Sequence, residues 1–576
     1  MFDILIKNGT IIDGSGDPQY VGDIGIIGKT IDIIGQLENK EAKSVIDAQG
    51  KIVCPGFVDI HSHADLMIPH ADHAKILKPL IMQGITSFVG GNCGFSNSLI
   101  PDDQRDNCIS NIEGLTVQSE AEYIDWKTPA EFMEKVQKRG LLLNMGLLAG
   151  HGSLRIAAAG LSRRLLSTDE QNKMEGYLET SMEMGCLGLS SGLQYFPGLQ
   201  SDTEELVKTA AVLKKYQGIF TSHLRSYSHT LDKALEEVFE VGRKNDIRVL
   251  ISHLYWQPYS KGFTSLVQKV IQLGSFLYNK VHIPIPIEKG LVPKLQLIEN
   301  ARNSGLDVYF DQVPTSQGFT TLLAFLPPYV VEGSKAEALN RLKSRDFRKR
   351  VQNDIENVEP DWPHNQEANW SFNYIKITGW GGLRVMAVTK DSNKWMEGKT
   401  FPEIGETQHK SPMDTMCDLL IEEEGKVLVF HTPTKPDDAF AFRSVWKGFT
   451  HPLSVPTTDT ILLPFGRPSH VFYDCFPRFI EFFTKKKKLI PLETAVKKCT
   501  SLPAKIMRIK NRGTLTSGNF ADILIFDFDK LGSSANFYNP RVYPTGIETV
   551  IINGNIVLEE GVFQENILAG EIIKAN

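Results

Sequence analysis

The sequence predicts an α/β fold: a (β/α)8 barrel of the TIM type, joined to a small β-sandwich built from both chain ends and covered by an inserted lid segment. Three observations carry this reading. Eight short, near-continuous apolar runs recur through the middle of the chain, the pattern of parallel strands buried on both faces. Several gaps between them repeat apolar residues at helical spacing. Both ends alternate at strand period, and neither has enough strands to bury a core alone.

Residues 1–54 read as short strands broken by turns: DILIKNGTIID, DIGIIGKTIDIIG and KSVIDAQGKIV. Asn8-Gly9 fits a hairpin turn, as does Asn553-Gly554 near the other end. The eight central runs are IVCPGFVDIHSH, ITSFVGGNCG, LLLNMGLLAGHG, CLGLSSGL, GIFTSHLR, RVLISHL, LDVYFDQVP and LSVPTTDT. Between them, residues 201–216 open with Ser201 and Glu204 at capping-box spacing and place Leu206, Ala210 and Leu213 on one face. Residues 230–243 do the same with Leu231, Ala234, Leu235, Val238 and Val241. Two stretches exceed a minimal barrel. Residues 254–291 follow the sixth run, and residues 315–450 separate the seventh from the eighth. The second is too long for a connection without structure of its own, and reads as an insertion over the barrel mouth. The predicted division is therefore residues 1–54 for one part of the sandwich, 55–500 for the barrel with its insertion at roughly 315–450, and 501–576 for the rest of the sandwich. The lysine run at 485–488 reads as a solvated helix face.

Composition bounds the function. The formal net charge is −6, without the basic excess that nucleic acid or an anionic membrane surface calls for. No apolar run approaches the ~18 residues that span a bilayer. The first residues alternate like a strand and lack a signal peptide's layout, so the expected address is cytoplasmic. Seven cysteines, scattered and without a C-x-x-C pair, do not form a disulfide framework. The expected partner is a small molecule.

Chemistry-bearing residues collect at the ends of the apolar runs. His61 and His63 end the first, where residues i and i+2 of a strand face the same side. H-x-H alone is a weak signal, and its place at a strand end strengthens it. Cys93 ends the second run, in GGNCGFS. His223 ends the fifth, His253 the sixth and Asp459 the eighth. Each alone has an ordinary alternative: a buried thiol, a hydrogen-bonded histidine, a helix N-cap. Together they lie at the C-terminal face of the strands, where barrel active sites form. Imidazole, thiolate and carboxylate as a set suit Zn2+.

The sequence resembles the amidohydrolase superfamily, and within it the N-acyl-D-amino-acid deacylase (D-aminoacylase) family. The resemblance runs nearly end to end. It is carried by PGFVDIHSHAD (55–65), GNCGFS (91–96), GLSSGLQYFPG (188–198), the segments around His223 and His253, TSLPA (500–504), GTLTSGNFADILIFD (513–527) and YPTGIETVIINGNIV (543–557). The cysteine of GNCG is its specific feature, because related amidohydrolases commonly place a carboxylated lysine there. The resemblance implies that Cys93, His223 and His253 hold one tight zinc, and that His61, His63 and Asp459 form a second, weaker position. It implies that Tyr195 stands near the scissile carbonyl. His151, Arg155 and Arg225 either orient substrate or pair with a carboxylate.

The sequence also departs from the family. Tyr255 stands where a lysine is usual, Val313 and Phe319 where a tyrosine and a serine are usual, and Val471 where an arginine is usual. The family's partners for a substrate carboxylate are missing, while the candidate metal ligands are kept.

The expected activity is metal-assisted hydrolysis of an amide, with Asp459 as the catalytic proton carrier. Three rivals stand beside it. A cyclic amidase of the dihydropyrimidinase or hydantoinase kind is disfavoured by Cys93. A non-catalytic barrel is disfavoured by the intact set of ligands. A cysteine-nucleophile hydrolase would be indifferent to chelators.

Overall fold

The computed structural model describes residues 1–38, 40–117, 120–362 and 371–575. Eight parallel strands form its centre: β1 (Phe57–Asp59), β2 (Ile85–Gly90), β3 (Asn144–Gly150), β4 (Gly188–Gly192), β5 (Ile219–His223), β6 (Arg248–Ile251), β7 (Val308–Gln312) and β8 (Ser454–Pro456). Each pairs with the next in chain order. A parallel bridge between Ser62, just past β1, and Thr460, just past β8, closes the ring. The structure thus uses all eight apolar runs as barrel strands.

The barrel is filled, not hollow. Val58, Val89, Leu148, Ile219, Leu250, Tyr309 and Val455, with Leu187 at the start of β4, form one buried cluster, so each strand sends a side chain to the axis. Ile506, Met507, Ile509 and Ile573 join it. A ninth, two-residue strand, Ile572–Ile573, runs parallel to β3.

The helices occupy the gaps, with local differences. Over 203–216 the chain makes two helices, Thr203–Ala210 and Leu213–Tyr216. The cap is Asp202, which accepts from Glu205 N at 2.8 Å; the Ser201 hydroxyl instead donates to Gly198 O at 2.6 Å. The next helix spans Leu231–Asn245, burying Leu231, Ala234, Leu235, Val238 and Val241. Residues 254–291 hold a further helix, Thr264–Phe276. Lys485, first of the lysine run, donates to the carbonyls of Phe528 at 3.2 Å and Asp529 at 2.5 Å. It ties a helix to a loop, whereas Lys486, Lys487 and Lys488 are exposed.

Strands from both chain ends share one nine-stranded sheet, the small sandwich. Ile52–Pro55 pairs antiparallel with Ile523–Phe526 at the join. Ile4, Ile6, Ile24, Ile26, Val53, Ile523, Ile525 and Ile551 form its core. Asn553-Gly554 makes the hairpin between Ile547–Ile552 and Asn555–Glu559. Asn8-Gly9 does not make one. It lies inside the strand Phe2–Ile11 as an irregularity in the pairing, with Asn8 at φ 58°. A bulge and a hairpin turn both need a left-handed residue, so the same dipeptide serves either.

The insertion has its own three-stranded antiparallel sheet, with Leu428–His431 between Gly318–Thr321 and Leu383–Ala387. Helices Lys335–Arg341, Arg345–Asn357, Phe401–Gln408 and Pro412–Glu422 accompany it. Residues 363–370 of this segment lie outside the described residues.

Candidate metal centre

The six candidate donors sit at, or just past, the C-terminal ends of five barrel strands. β1 stops at Asp59, so His61 and His63 ride on the segment that bridges to β8 rather than on the strand. Asp459 N donates to His61 O, and His63 N to Thr460 O, each at 2.9 Å. These bonds hold the two histidines and the aspartate side by side. Cys93, His253 and Asp459 turn back at the ends of their strands with φ of 52°, 36° and 51°. Left-handed backbone costs a residue with a Cβ about 1–3 kcal/mol and persists only where its surroundings enforce it. Here it swings each side chain toward the barrel axis. The turn also needs Gly91, where a Cβ would fall 2.1 Å from Leu148 O.

The Cys93 sulfur is the hub. It stands 3.3 Å from His61 Nε2, 3.7 Å from His223 Nδ1 and 3.6 Å from His253 Nε2. Asp459 Oδ1 lies 3.3 Å from His61 Nε2 and 3.4 Å from His63 Nε2. The donors form two overlapping groups, His61–His63–Cys93–Asp459 and Cys93–His223–His253, with all ligand atoms of a group within 4.8 Å of one another. Cys93 belongs to both.

The hydrogen bonds show that these residues fit a cation. Asp311 Oδ2 lies 3.1 Å from His61 Nδ1, a contact that keeps the Nδ1 proton and aims the Nε2 lone pair into the site once the ring gives up its second proton. That lone pair faces a sulfur and a carboxylate, both lone-pair donors. Only a proton or a metal ion relieves the arrangement, and five nitrogen and sulfur donors with one carboxylate suit zinc. Asp311 also accepts from His253 N at 2.6 Å and Thr457 Oγ1 at 3.1 Å, so one carboxylate positions candidate donors that follow two strands.

Burial alone would push the Cys93 thiol up, but the imidazoles of His61, His223 and His253 hold it well below the usual thiol value. Burial opposes the charge on Asp459 too, and His61 and His63 overcome it, keeping the carboxyl ionised. His223 is pushed down to about 4 by burial and by His253, so its ring is neutral and able to donate a lone pair. Tyr195 is held well above the usual phenol value by burial and by the charge on Cys93, and it stays a hydrogen-bond donor. Its hydroxyl lies 3.5 Å from His223 Nδ1 and 3.0 Å from Thr320 Oγ1.

An amidohydrolase family model matches residues 431–558. The N-acyl-D-glutamate deacylase of Alcaligenes xylosoxydans xylosoxydans is 28% identical over 563 residues, covering 97% of this chain and 94% of that protein. The D-aminoacylase of the same organism is 25% identical over 568 residues, covering 98% and 96%. The solved N-acyl-D-glutamate deacylase from Bordetella bronchiseptica, complexed with zinc and a phosphonate inhibitor, shares the fold at a TM-score of 0.74 and 24% identity, over 100% of both chains. The chain is thus similar to these deacylases over nearly its whole length.

A cavity of about 1220 Å³, counting the part open to solvent, lies over the donors. His63, Cys93, Tyr195, His223, His253 and Asp459 line its floor. Thr320, Phe325 and His431 come from the insertion, and Tyr255 and Trp256 from the segment after β6. His151 and Arg225 do not reach the cavity. His151 Nε2 pairs with Glu205 Oε1 at 3.0 Å, and Arg155 Nε meets the same oxygen at 3.0 Å. Arg225 Nε lies 2.9 Å from Glu237 Oε2. Both are fully buried and each meets a carboxylate inside the scaffold, although His151 Nδ1 has no partner among the described residues. Val313 and Phe319 line the cavity, whereas Val471 is buried in the helix Val471–Ile480.

Sequence reasoning passed over Asp311 as an orienting group and His431 as a cavity residue. Asp311 ends β7 as the ligands end theirs, so its place was a usable signal. His431 carries none, because only the fold of the insertion brings it to the barrel.

Proposed function

We propose that this chain is a zinc-dependent amidase that hydrolyses the amide bond of a small N-acylated amino compound. The observation that carries the reading is the convergence of Cys93, four imidazoles and Asp459 at the mouth of the barrel, on the floor of the cavity. Cys93, His223 and His253 would hold one zinc tightly, and His61, His63 and Asp459 a second, weaker one. When bound, the metal supplies Lewis acidity that polarises the amide carbonyl and lowers the pKa of water toward ~7. The chain's own residues do the rest. Asp459, ionised at neutral pH, accepts the proton of the attacking water and returns it to the leaving nitrogen. The Tyr195 hydroxyl donates to the carbonyl oxygen as charge develops there. Asp311 keeps His61 and the His253 backbone in position. The names of its relatives, an N-acyl-D-glutamate deacylase and a D-aminoacylase, support an N-acyl amino moiety.

Metal analysis of the purified protein tests this. About one tightly held zinc per chain is expected for such a donor set. Cys93→Ala should lose it, and chelation should abolish hydrolysis in a screen of N-acyl amino acids and small amides, with zinc restoring it. Full zinc retention in Cys93→Ala, or activity that survives chelation, would count against the assignment.

A further inference from the structure

Among the described residues lining the cavity there is no lysine, no arginine and no glutamate, and the single aspartate is Asp459 itself. Above the donor cluster the walls are Tyr255, Trp256, Phe319, Phe325, Phe372 and Tyr374. Polar groups are present, but as neutral hydroxyls and amides such as Thr320 and Gln257. His431 is ringed by Tyr255, Phe325 and Tyr374 and is kept neutral by burial. The nearby arginines are committed elsewhere. Arg225 is held by Glu237, Arg467 donates to Phe537 O at 2.9 Å, and Arg478 to Asp474 Oδ2 at 2.7 Å. A free carboxylate on the substrate would lose its hydration there and find no charged donor, while aromatic and aliphatic groups would be well accommodated. Resting on the amidase reading, we infer that the substrate carries no charge on the part that enters this cavity: a neutral amide with apolar or aromatic substituents, not a free N-acyl amino acid.

A matched pair tests this: N-acetyl-D-phenylalanine and its carboxamide, on the zinc-loaded enzyme. The carboxamide should have a kcat/KM at least tenfold higher. Val313→Arg, which adds a cation to the wall, should move the preference toward the acid. Equal use of both, or preference for the acid, would overturn the inference while leaving the amidase reading intact. If neither compound nor any related amide is cleaved, the amidase reading itself falls. Calorimetric binding of the matched ketone isosteres, acid against carboxamide, separates these cases without turnover: tighter binding of the carboxamide is expected, and equal or tighter binding of the acid would refute it.

A second observation stands by itself. On the helix Thr264–Phe276, Leu266, Val270 and Leu273 fall on one stripe at helical spacing, and they are 57%, 59% and 56% exposed. Phe263, Phe276 and Val281 extend the stripe and are also more than half exposed. Residues 254–287 contain no acidic residue, and Lys261, Lys269 and Lys280 flank the stripe. The opposite face is seated: Ser275 Oγ donates to Asp438 Oδ2 at 2.6 Å, and Gly274 packs against Phe440. Ala441, beside Phe440 on the helix Ala439–Arg443, lines the cavity. The segment's own charges are all cationic, while Glu356 and Glu359 line the groove beside Phe263 and Leu266; an apolar stripe carrying its own cations is complementary to an anionic lipid surface. The structure assigns this helix as a docking face for anionic lipid, at the rim of the cavity.

Co-sedimentation with phosphatidylcholine vesicles containing phosphatidylglycerol should capture the protein, and vesicles of phosphatidylcholine alone should capture less. The triple variant Leu266→Ser, Val270→Ser, Leu273→Ser should stay in solution with its fold intact by circular dichroism. Absence of binding by the unaltered protein, or binding that the triple variant retains, would overturn the assignment. So would a dimer in light scattering that the same variant dissociates, since the stripe would then belong to a second copy.

Discussion

In the proposed mechanism Asp459 would combine two roles that pull in different directions. As a ligand it must stay ionised, and His61 and His63 at 3.3 and 3.4 Å keep it so. As a proton carrier it must accept and release a proton once per turnover, which needs only one of its oxygens. Asp459→Asn keeps the size and one ligating oxygen but removes the acceptor. Turnover should fall by roughly 10²–10⁴-fold with the tight zinc retained, read by steady-state kinetics beside metal analysis; unchanged turnover would move the proton transfer to another group. The six donors were legible in the sequence because each follows an apolar strand, and a polar ligand-type residue at that spot is out of place in a core. Asp311 follows a strand in the same way, but an orienting carboxylate and a helix cap look alike until its distance to His61 Nδ1 is known. His431 was not legible at all, because its neighbours come from residues far away in the chain.

Arg225 shows how an element is held without taking part in chemistry. It follows β5, reaches Glu237 on the helix Leu231–Asn245, and donates to Ser201 O at 2.6 Å and Leu199 O at 3.3 Å. One buried guanidinium thus joins a strand end, a helix and the loop that follows Tyr195. Arg225→Ala leaves the buried Glu237 without its guanidinium partner, and breaking one side of such a pair costs about 3–5 kcal/mol. A clear drop in Tm is expected, largely relieved in the double variant Arg225→Met, Glu237→Leu; a neutral single variant would show that solvent reaches Glu237. From sequence alone, an arginine two residues after a candidate ligand looks like a substrate clamp. Its partner, twelve residues on, distinguishes the two, and helical spacing places Glu237 on the same side of its helix as the apolar residues Ala234 and Val241. The cap at Asp202 was misplaced by one residue for a related reason: Ser201 and Asp202 are both good caps, and only Ser201's bond to Gly198 O decides between them.

For the molecule as a whole, the barrel was readable because its strands are buried on both faces and so are continuously apolar. The insertion was readable only as excess length. Its strands, Gly318–Thr321, Leu383–Ala387 and Leu428–His431, are short and pair over long distances, so no local period announces them. The shared sheet was inferred from too few strands at either end, and the pairing of Ile52–Pro55 with Ile523–Phe526 is how the structure meets that shortage. This pairing has a consequence for biosynthesis. The strand that ends at Pro55 leaves the ribosome roughly 470 residues before its partner, an interval of about 20 to 90 s at ordinary translation rates. Throughout it, Val53, Ile24 and Ile26 lack the part of their core that Leu515, Ala521, Ile523, Ile525 and Ile551 supply, and the hydrogen-bonding edge of Ile52–Pro55 is bare. The nascent chain therefore carries an exposed, apolar strand edge until synthesis is nearly complete, which makes it a natural client for ribosome-associated chaperones.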